Sequence, residues 1–207
     1  VALFGASGAG KSTLVQLVFG LRAPAAGTVR VGGVPARSTR AAADPTLLGY
    51  AGAEPFLLHA SVEENLRYGN PRASREDVER AAAMAEADAF IAALPDGYAT
   101  IIGGRGLALS DGQRQRLGLA RLFLSDPRIL VLDEAFSALD LGTEIRIRRQ
   151  LWEAFPDRTA IVISHRPVGL AEVDRILYLQ DGRLDAIAPG DLRSFAASLD
   201  DGADRPG

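Results

Sequence analysis

The apolar positions of this chain fall into two kinds of run. Val1-Ala2-Leu3-Phe4, Ile129-Leu130-Val131-Leu132 and Thr159-Ala160-Ile161-Val162-Ile163 are short and nearly continuous, the pattern of strands buried on both faces of a parallel sheet. Leu14, Val15, Leu17 and Val18 recur instead at helical spacing up to Gly20. So do the alanines between Val78 and Leu94, which read as ordinary packing positions. Thr28-Val29-Arg30-Val31 is a short β run closed by Gly32-Gly33, the stretch from Pro35 to Pro45 is a polar connection, and Leu47 to Ala51 reads as a further strand. Ser61-Val62-Glu63-Glu64 has the form of a capping box and Ser74-Arg75-Glu76-Asp77 is a second start signal. The chain is therefore expected to be largely helical from 61 to 94, up to Pro95-Asp96-Gly97. Arg175 to Gln180, Asp181-Gly182 and Arg183 to Ala188 predict a β-hairpin.

Alternation of such strands and helices predicts an α/β fold around a parallel sheet. In these sheets the ligand crevice lies at the carboxyl ends of the strands. Gly5, Asp133, Glu134 and His165 each follow an apolar run closely and are expected to converge there.

Composition narrows this picture without naming a function. A chain of 207 residues, 47% of them hydrophobic, can bury the core of one α/β domain. Its 23 basic and 26 acidic residues are interspersed, with a net charge of −3, so no basic field exists for nucleic acid and no nucleic-acid partner is expected. No apolar run approaches the roughly 18 residues of a membrane span. The absence of cysteine excludes disulfides and thiolate metal sites. The chain opens at Val1, inside what reads as the first core strand, and is expected to be part of a longer one.

Lys11 is the only lysine among the 23 basic residues. It stands in Gly5-Ala6-Ser7-Gly8-Ala9-Gly10-Lys11-Ser12-Thr13, which fits the phosphate-binding pattern G-x-x-x-x-G-K-[ST] between a strand and a helix. The glycines let backbone N–H groups turn inward around phosphates, Lys11 can reach the β- and γ-phosphates as a compact charge, and the Ser12 hydroxyl can ligate Mg²⁺.

Further on, Leu109-Ser110-Asp111-Gly112-Gln113 precedes a helix, and the run ending in Asp133-Glu134 follows some twenty residues later. In this order after a phosphate loop, these motifs resemble those of the ATP-binding cassette (ABC) transporter ATPases, exporter type, from Val1 to about Leu192. The resemblance implies a P-loop NTPase (RecA-like) core at about 1–58 and 126–192, with a helical subdomain at about 59–125, a partial antiparallel β subdomain and a polar tail at 193–207. It implies ATP as substrate with Mg²⁺ held by Ser12 and Asp133, Glu134 as general base, and His165 at the γ-phosphate. Ser110, Gly112 and Gln113 would face the ATP of a second ABC ATPase domain in a homo- or heterodimer, with Asp140 in Ser137-Ala138-Leu139-Asp140 contacting that partner. The assembly would work with a transmembrane domain at the cytoplasmic face of a cell membrane.

Three positions depart from the family pattern. Asp111 replaces a glycine of the signature, Ala53 stands where a glutamine is usual, and Gly104 in Thr100-Ile101-Ile102-Gly103-Gly104-Arg105-Gly106 replaces a glutamate. A methyl group cannot ligate a metal, so the rate of hydrolysis or its coupling is in question at Ala53. Two rival readings stand beside the exporter. One is a degenerate, nucleotide-gated half that pairs with an active cassette, and the other is a soluble ABC ATPase without a transport role.

Overall fold

The computed structural model describes residues 1–37, 44, 46–104, 106–164 and 173–191. Among them, β1 (Ala2–Phe4) and β8 (Thr159–Ile163) occupy the middle of a six-stranded sheet and β7 (Ile129–Asp133) lies beside β8. The strand order is β10–β9–β1–β8–β7–β4, with β4 at Leu48–Gly52, β9 at Ile176–Gln180 and β10 at Arg183–Ile187. Burial on both faces accounts for the continuous apolar runs, since Leu130, Val131 and Leu132 are at most 1% exposed. All neighbours run parallel except β9 and β10, whose hairpin turns at Asp181 and Gly182 with φ of 48° and 74°. The Asp-Gly pair predicts such a turn.

Register decides where the strands end. Leu3 pairs with Ile163, Ile163 with Asp133, and Asp133 with Gly52, so these four residues form one row across the sheet. The segments that follow them leave the sheet at one edge, which brings the phosphate loop, Glu134 and Ala53 together. The β run expected at Thr28–Val31 is shorter in the structure: β2 (Arg30–Val31) and β3 (Val34–Pro35) form a separate two-stranded antiparallel ladder.

Six α-helices lie among the described residues: α1 (Lys11–Val18), α2 (Val62–Arg67), α3 (Arg75–Met84), α4 (Asp88–Ala92), α5 (Asp111–Ser125) and α6 (Leu141–Ala154). The capping boxes at Ser61 and Ser74 both form, each with its side-chain bonds in both directions. The expected helical stretch from 61 to 94 is divided into α2, α3 and α4, with Glu86 at φ 54° in the break before α4. A short ladder that the sequence pattern did not predict, β5 (Ala60–Ser61) against β6 (Ile101–Ile102), closes this region. Helix α5 packs on α2, α3 and β4. Leu117, Leu119 and Ala120 are 0% exposed on it, and Ala81, Ala82, Ala85 and Ala87 fill the space beside the same core. These four alanines are packing residues, as their spacing suggested, whereas Ala83, Ala89, Ala92 and Ala93 are exposed.

One buried polar residue organises the chain after β4. Asn65 is 0% exposed. Its Oδ1 accepts from the Leu58 N–H (2.8 Å) and from Arg121 (3.1 Å), and its Nδ2 donates to the carbonyls of Leu58 and Ser61 (3.0 Å each). Asn65→Leu keeps the volume and strands several of these groups, each costing about 1–3 kcal/mol when buried and unpaired. The expected outcome is a loss of about 3 kcal/mol, read as a lower denaturant midpoint at unchanged slope. An unshifted midpoint would mean that water or rotation satisfies the stranded groups.

Candidate functional site

The segment after β1 forms a loop because its backbone requires one. A Cβ on Gly5 would stand 2.4 Å from the Leu179 carbonyl oxygen, so only glycine lets the chain pass β9 so closely. Gly10 caps α1 at φ 105°, in the left-handed region that favours glycine, and turns the chain directly into Lys11. The Lys11 ammonium donates to the carbonyls of Gly5 (2.7 Å) and Ala6 (2.9 Å) across the loop. An ammonium carries three donors, so it can hold the loop closed and still meet an anion.

Ser7, Gly8, Gly10, Lys11, Ser12 and Thr13 line one wall of a cleft of about 780 Å³. Tyr50, Gly52, Ala53, Glu54, Asp133 and Glu134 line the rest of it. Gly5, Ala6 and Ala9 are not among the lining residues, and the Ala9 N–H donates to the Ala6 carbonyl (3.1 Å) within the loop. His165, expected beside Glu134, lies outside the described residues, as do Arg105 and the tail 193–207.

Asp133 and Glu134 stand next to each other at this cleft. Burial pushes the Asp133 carboxyl above the ordinary range and the charge of Glu134 adds to the push, while a hydrogen bond from Tyr50 and the charge of Lys11 oppose it. The Tyr50 hydroxyl lies 3.4 Å from Asp133 Oδ2, and the Tyr50 ring packs edge-on against Phe19. A carboxylate held against its preference for a proton gains from a nearby cation. Among the described residues no three His, Cys, Asp or Glu side chains gather as a metal cage. One carboxylate and the Ser12 hydroxyl suit Mg²⁺, which takes few protein ligands and shares its shell with phosphates and water. Glu134 adopts φ 54°, unusual for a residue with a side chain. Its N–H donates to the Ile163 carbonyl (3.0 Å) and its carbonyl accepts from the Ser137 N–H (3.1 Å). Such strain costs on the order of 1–3 kcal/mol and persists where the surroundings over-determine the backbone.

The signature segment lies elsewhere. Ser110, Asp111, Gly112 and Asp140 line a second cleft of about 460 Å³ that shares no lining residue with the first. The segment is itself a capping box for α5: the Gln113 N–H donates to Ser110 Oγ (3.3 Å) and the Ser110 N–H to Gln113 Oε1 (2.9 Å). Gln113 is thereby committed to the helix end and does not line the cleft. The Asp111 carboxylate pairs with Arg114 along the first turn of the helix, which offsets the charge that aspartate introduces there. Asp140 caps α6 by accepting from the Thr143 N–H (3.0 Å), and its bonds with Thr143 hold its carboxyl below the usual range.

Tyr50, which lines the main cleft, and Gln115, which donates to the Ala53 carbonyl, were not singled out from the sequence. Tyr50 is the one outward-facing position of β4, an aromatic on the exposed side of an otherwise buried strand. Gln115 is a polar residue on the buried side of α5, at 2% exposure. Each carries a detectable sequence signal, a side chain of the wrong polarity for its face.

A comparison with protein families matches residues 1–137 to the family described as ABC transporter. The ABC transporter ATM1 of Toxoplasma gondii is 41% identical over 184 residues, which are 89% of this chain and 16% of that protein. The multidrug efflux ATP-binding/permease protein of Mycobacterium bovis is 40% identical over 184 residues, or 89% of this chain and 15% of that one. A solved bacterial Atm1-family ABC exporter with ATP bound superposes with a TM-score of 0.88 at 36% identity, covering 100% of this chain and 37% of that one. The chain thus spans about a sixth of the length of these two curated relatives. Because the family match runs from the phosphate loop through both walls of the main cleft, and over well more than half of the sequence, the chain belongs to the ABC transporter family.

Proposed function

We propose that this domain binds ATP with Mg²⁺ in the main cleft, hydrolyses it there, and so drives export by a membrane-embedded partner domain. The observation that carries the reading is the convergence of the phosphate loop, Asp133 and Glu134 on one cleft. ABC ATPase domains work on ATP with Mg²⁺. Here Ser12 and Asp133 would hold the ion, which would supply neutralisation of the phosphate charge.

The chain's own residues carry the other tasks. Lys11 and the N–H groups at the start of α1 take up phosphate charge, with the positive end of the helix dipole behind them. Glu134 orients the attacking water and accepts its proton as the water oxygen bonds to the γ-phosphorus. The bond from that phosphorus to the bridging oxygen breaks, and ADP leaves with the electron pair. His165 would complete the γ-phosphate contacts.

A second ATPase domain supplies the other half of each site in this reading. Ser110 and Gly112 at the start of α5 would face the partner's nucleotide, with Asp140 at the shared surface and the cytoplasmic side of a membrane as the place of work. The second cleft favours this arrangement, since it gathers these residues around a helix N-terminus away from the chain's own phosphate loop.

Ala53 tests how the attacking water is placed. If its methyl group leaves the water under-constrained, Ala53→Gln raises turnover with little change in nucleotide affinity, because a misplaced nucleophile costs on the order of 100-fold. Glu54 also lines the cleft and can stand in for the missing side chain. Steady-state ATPase assays of Ala53→Gln and Glu54→Ala separate the cases. A gain in the first identifies Ala53 as the limit, a collapse in the second identifies Glu54 as the substitute, and no change in either excludes this loop from the chemistry.

A further inference from the structure

The ladder between β4 and β7 ends at the pair Gly52 and Asp133. One residue further on the sheet no longer joins the two segments, and among the described residues no backbone hydrogen bond links 53–54 to 134–138. The next rung is a side chain from a third element. Gln115 of α5, 2% exposed, donates through Nε2 to the Ala53 carbonyl (2.9 Å) and to Ser137 Oγ (2.8 Å), and its Oε1 accepts from the Ala138 N–H (2.9 Å). The same Nε2 lies 3.5 Å from the Glu134 carbonyl.

Both N–H donors and the carbonyl of this amide are therefore engaged, in a dry environment where a satisfied network rigidifies its members. A leucine would fill the position without the cost of burying an amide. What the amide adds is a fixed distance between the loop at Ala53 and the turn that carries Glu134. That turn needs fixing, because Glu134 sits at φ 54° and returns to ordinary backbone angles unless its surroundings prevent it. Ala53 has no polar side chain, and its carbonyl is joined to the turn through Gln115.

We propose that Gln115 is a positioning residue for ATP hydrolysis: it sets where Glu134 stands and ties that setting to α5, whose first turn is the signature segment Ser110–Gln113. A shift of α5 along its axis moves the amide, and the amide moves the Glu134 turn against the loop at Ala53. The Ser110 cleft and the main cleft share no residue, yet they are two ends of one mechanical connection. This inference rests on Glu134 being the general base.

The test uses the full-length protein with Gln115→Met, which keeps length and loses all three bonds, and Gln115→Glu, which keeps the acceptor and loses both donors. ATP affinity, KM and kcat are measured for each variant, alone and combined with Glu134→Gln, together with thermal unfolding. Both single variants are expected to bind ATP as the wild type does and to lose kcat on the order of 100-fold, the cost of a misplacement of about 1 Å. Because Gln115 acts through Glu134, adding Gln115→Met to Glu134→Gln should lower the residual kcat by less than about 2-fold. A residue with only a structural role would lower the unfolding midpoint and multiply the two losses instead. Full kcat in either single variant, or multiplied losses in the double one, overturns the proposal. Normal turnover of Glu134→Gln alone overturns the base assignment, and the proposal with it, and is distinguishable because it appears without any change at Gln115.

Discussion

Glu134→Gln is expected to bind ATP at wild-type affinity and to lose turnover on the order of 1000-fold, within the usual contribution of a general base. The amide keeps the size of the carboxylate and the hydrogen bonds of the turn, since the Glu134 backbone is held by Ile163 and Ser137. What it loses is the capacity to take the water's proton. A site that binds and does not hydrolyse should also accumulate the paired, ATP-loaded state. Size-exclusion chromatography with ATP and Mg²⁺ then shows a dimer in this variant and little of one in the wild type. Only monomers in the variant would contradict the sandwich arrangement or the competence of the Ser110–Gln113 segment, and undiminished turnover would remove Glu134 from the chemistry.

Lys11→Ala should abolish ATP binding at micromolar nucleotide. The donor that the loop leaves free makes one charge-assisted bond to phosphate, which contributes about 1.5–3 kcal/mol, so losing it weakens binding by about 10- to 100-fold. The loss has a structural part as well, because the ammonium also bridges the Gly5 and Ala6 carbonyls. Lys11→Arg is expected to fail too, although the charge is retained. A planar guanidinium cannot place one compact donor between two carbonyls 2.7 and 2.9 Å away and still reach a phosphate oxygen. Equilibrium binding of a fluorescent ATP analogue reads both variants, and wild-type affinity in either one would refute the phosphate-loop assignment.

The cleft combines constraints that oppose stability. Asp133 is kept near Glu134 although their charges repel and burial penalises the Asp133 carboxylate, and Glu134 itself has a strained backbone. These costs are local, and the wide core of Leu117, Leu119, Leu130, Leu132 and Ile147 lies directly beneath them. A rigid base of this kind can hold side chains in positions that they would leave in a looser setting.

Much of this was legible in the residues alone, wherever the information is local. The buried strands, the capping boxes at Ser61 and Ser74, the Asp181-Gly182 turn and the phosphate loop each depend on residues a few positions apart, whose sterics and hydrogen bonds act whatever the rest of the chain does. The family resemblance followed from those segments in their order. The tertiary structure alone decided which strand lies beside which, and so which strand ends share an edge, because side-chain period identifies a buried strand without naming its neighbour. It also decided the contacts that span the chain: Tyr50 with Asp133 across 83 positions, and Gln115 with Ala53 across 62. No local pattern contains such a pair, since it exists only once the sheet register and the packing of α5 have brought the two residues within hydrogen-bonding reach.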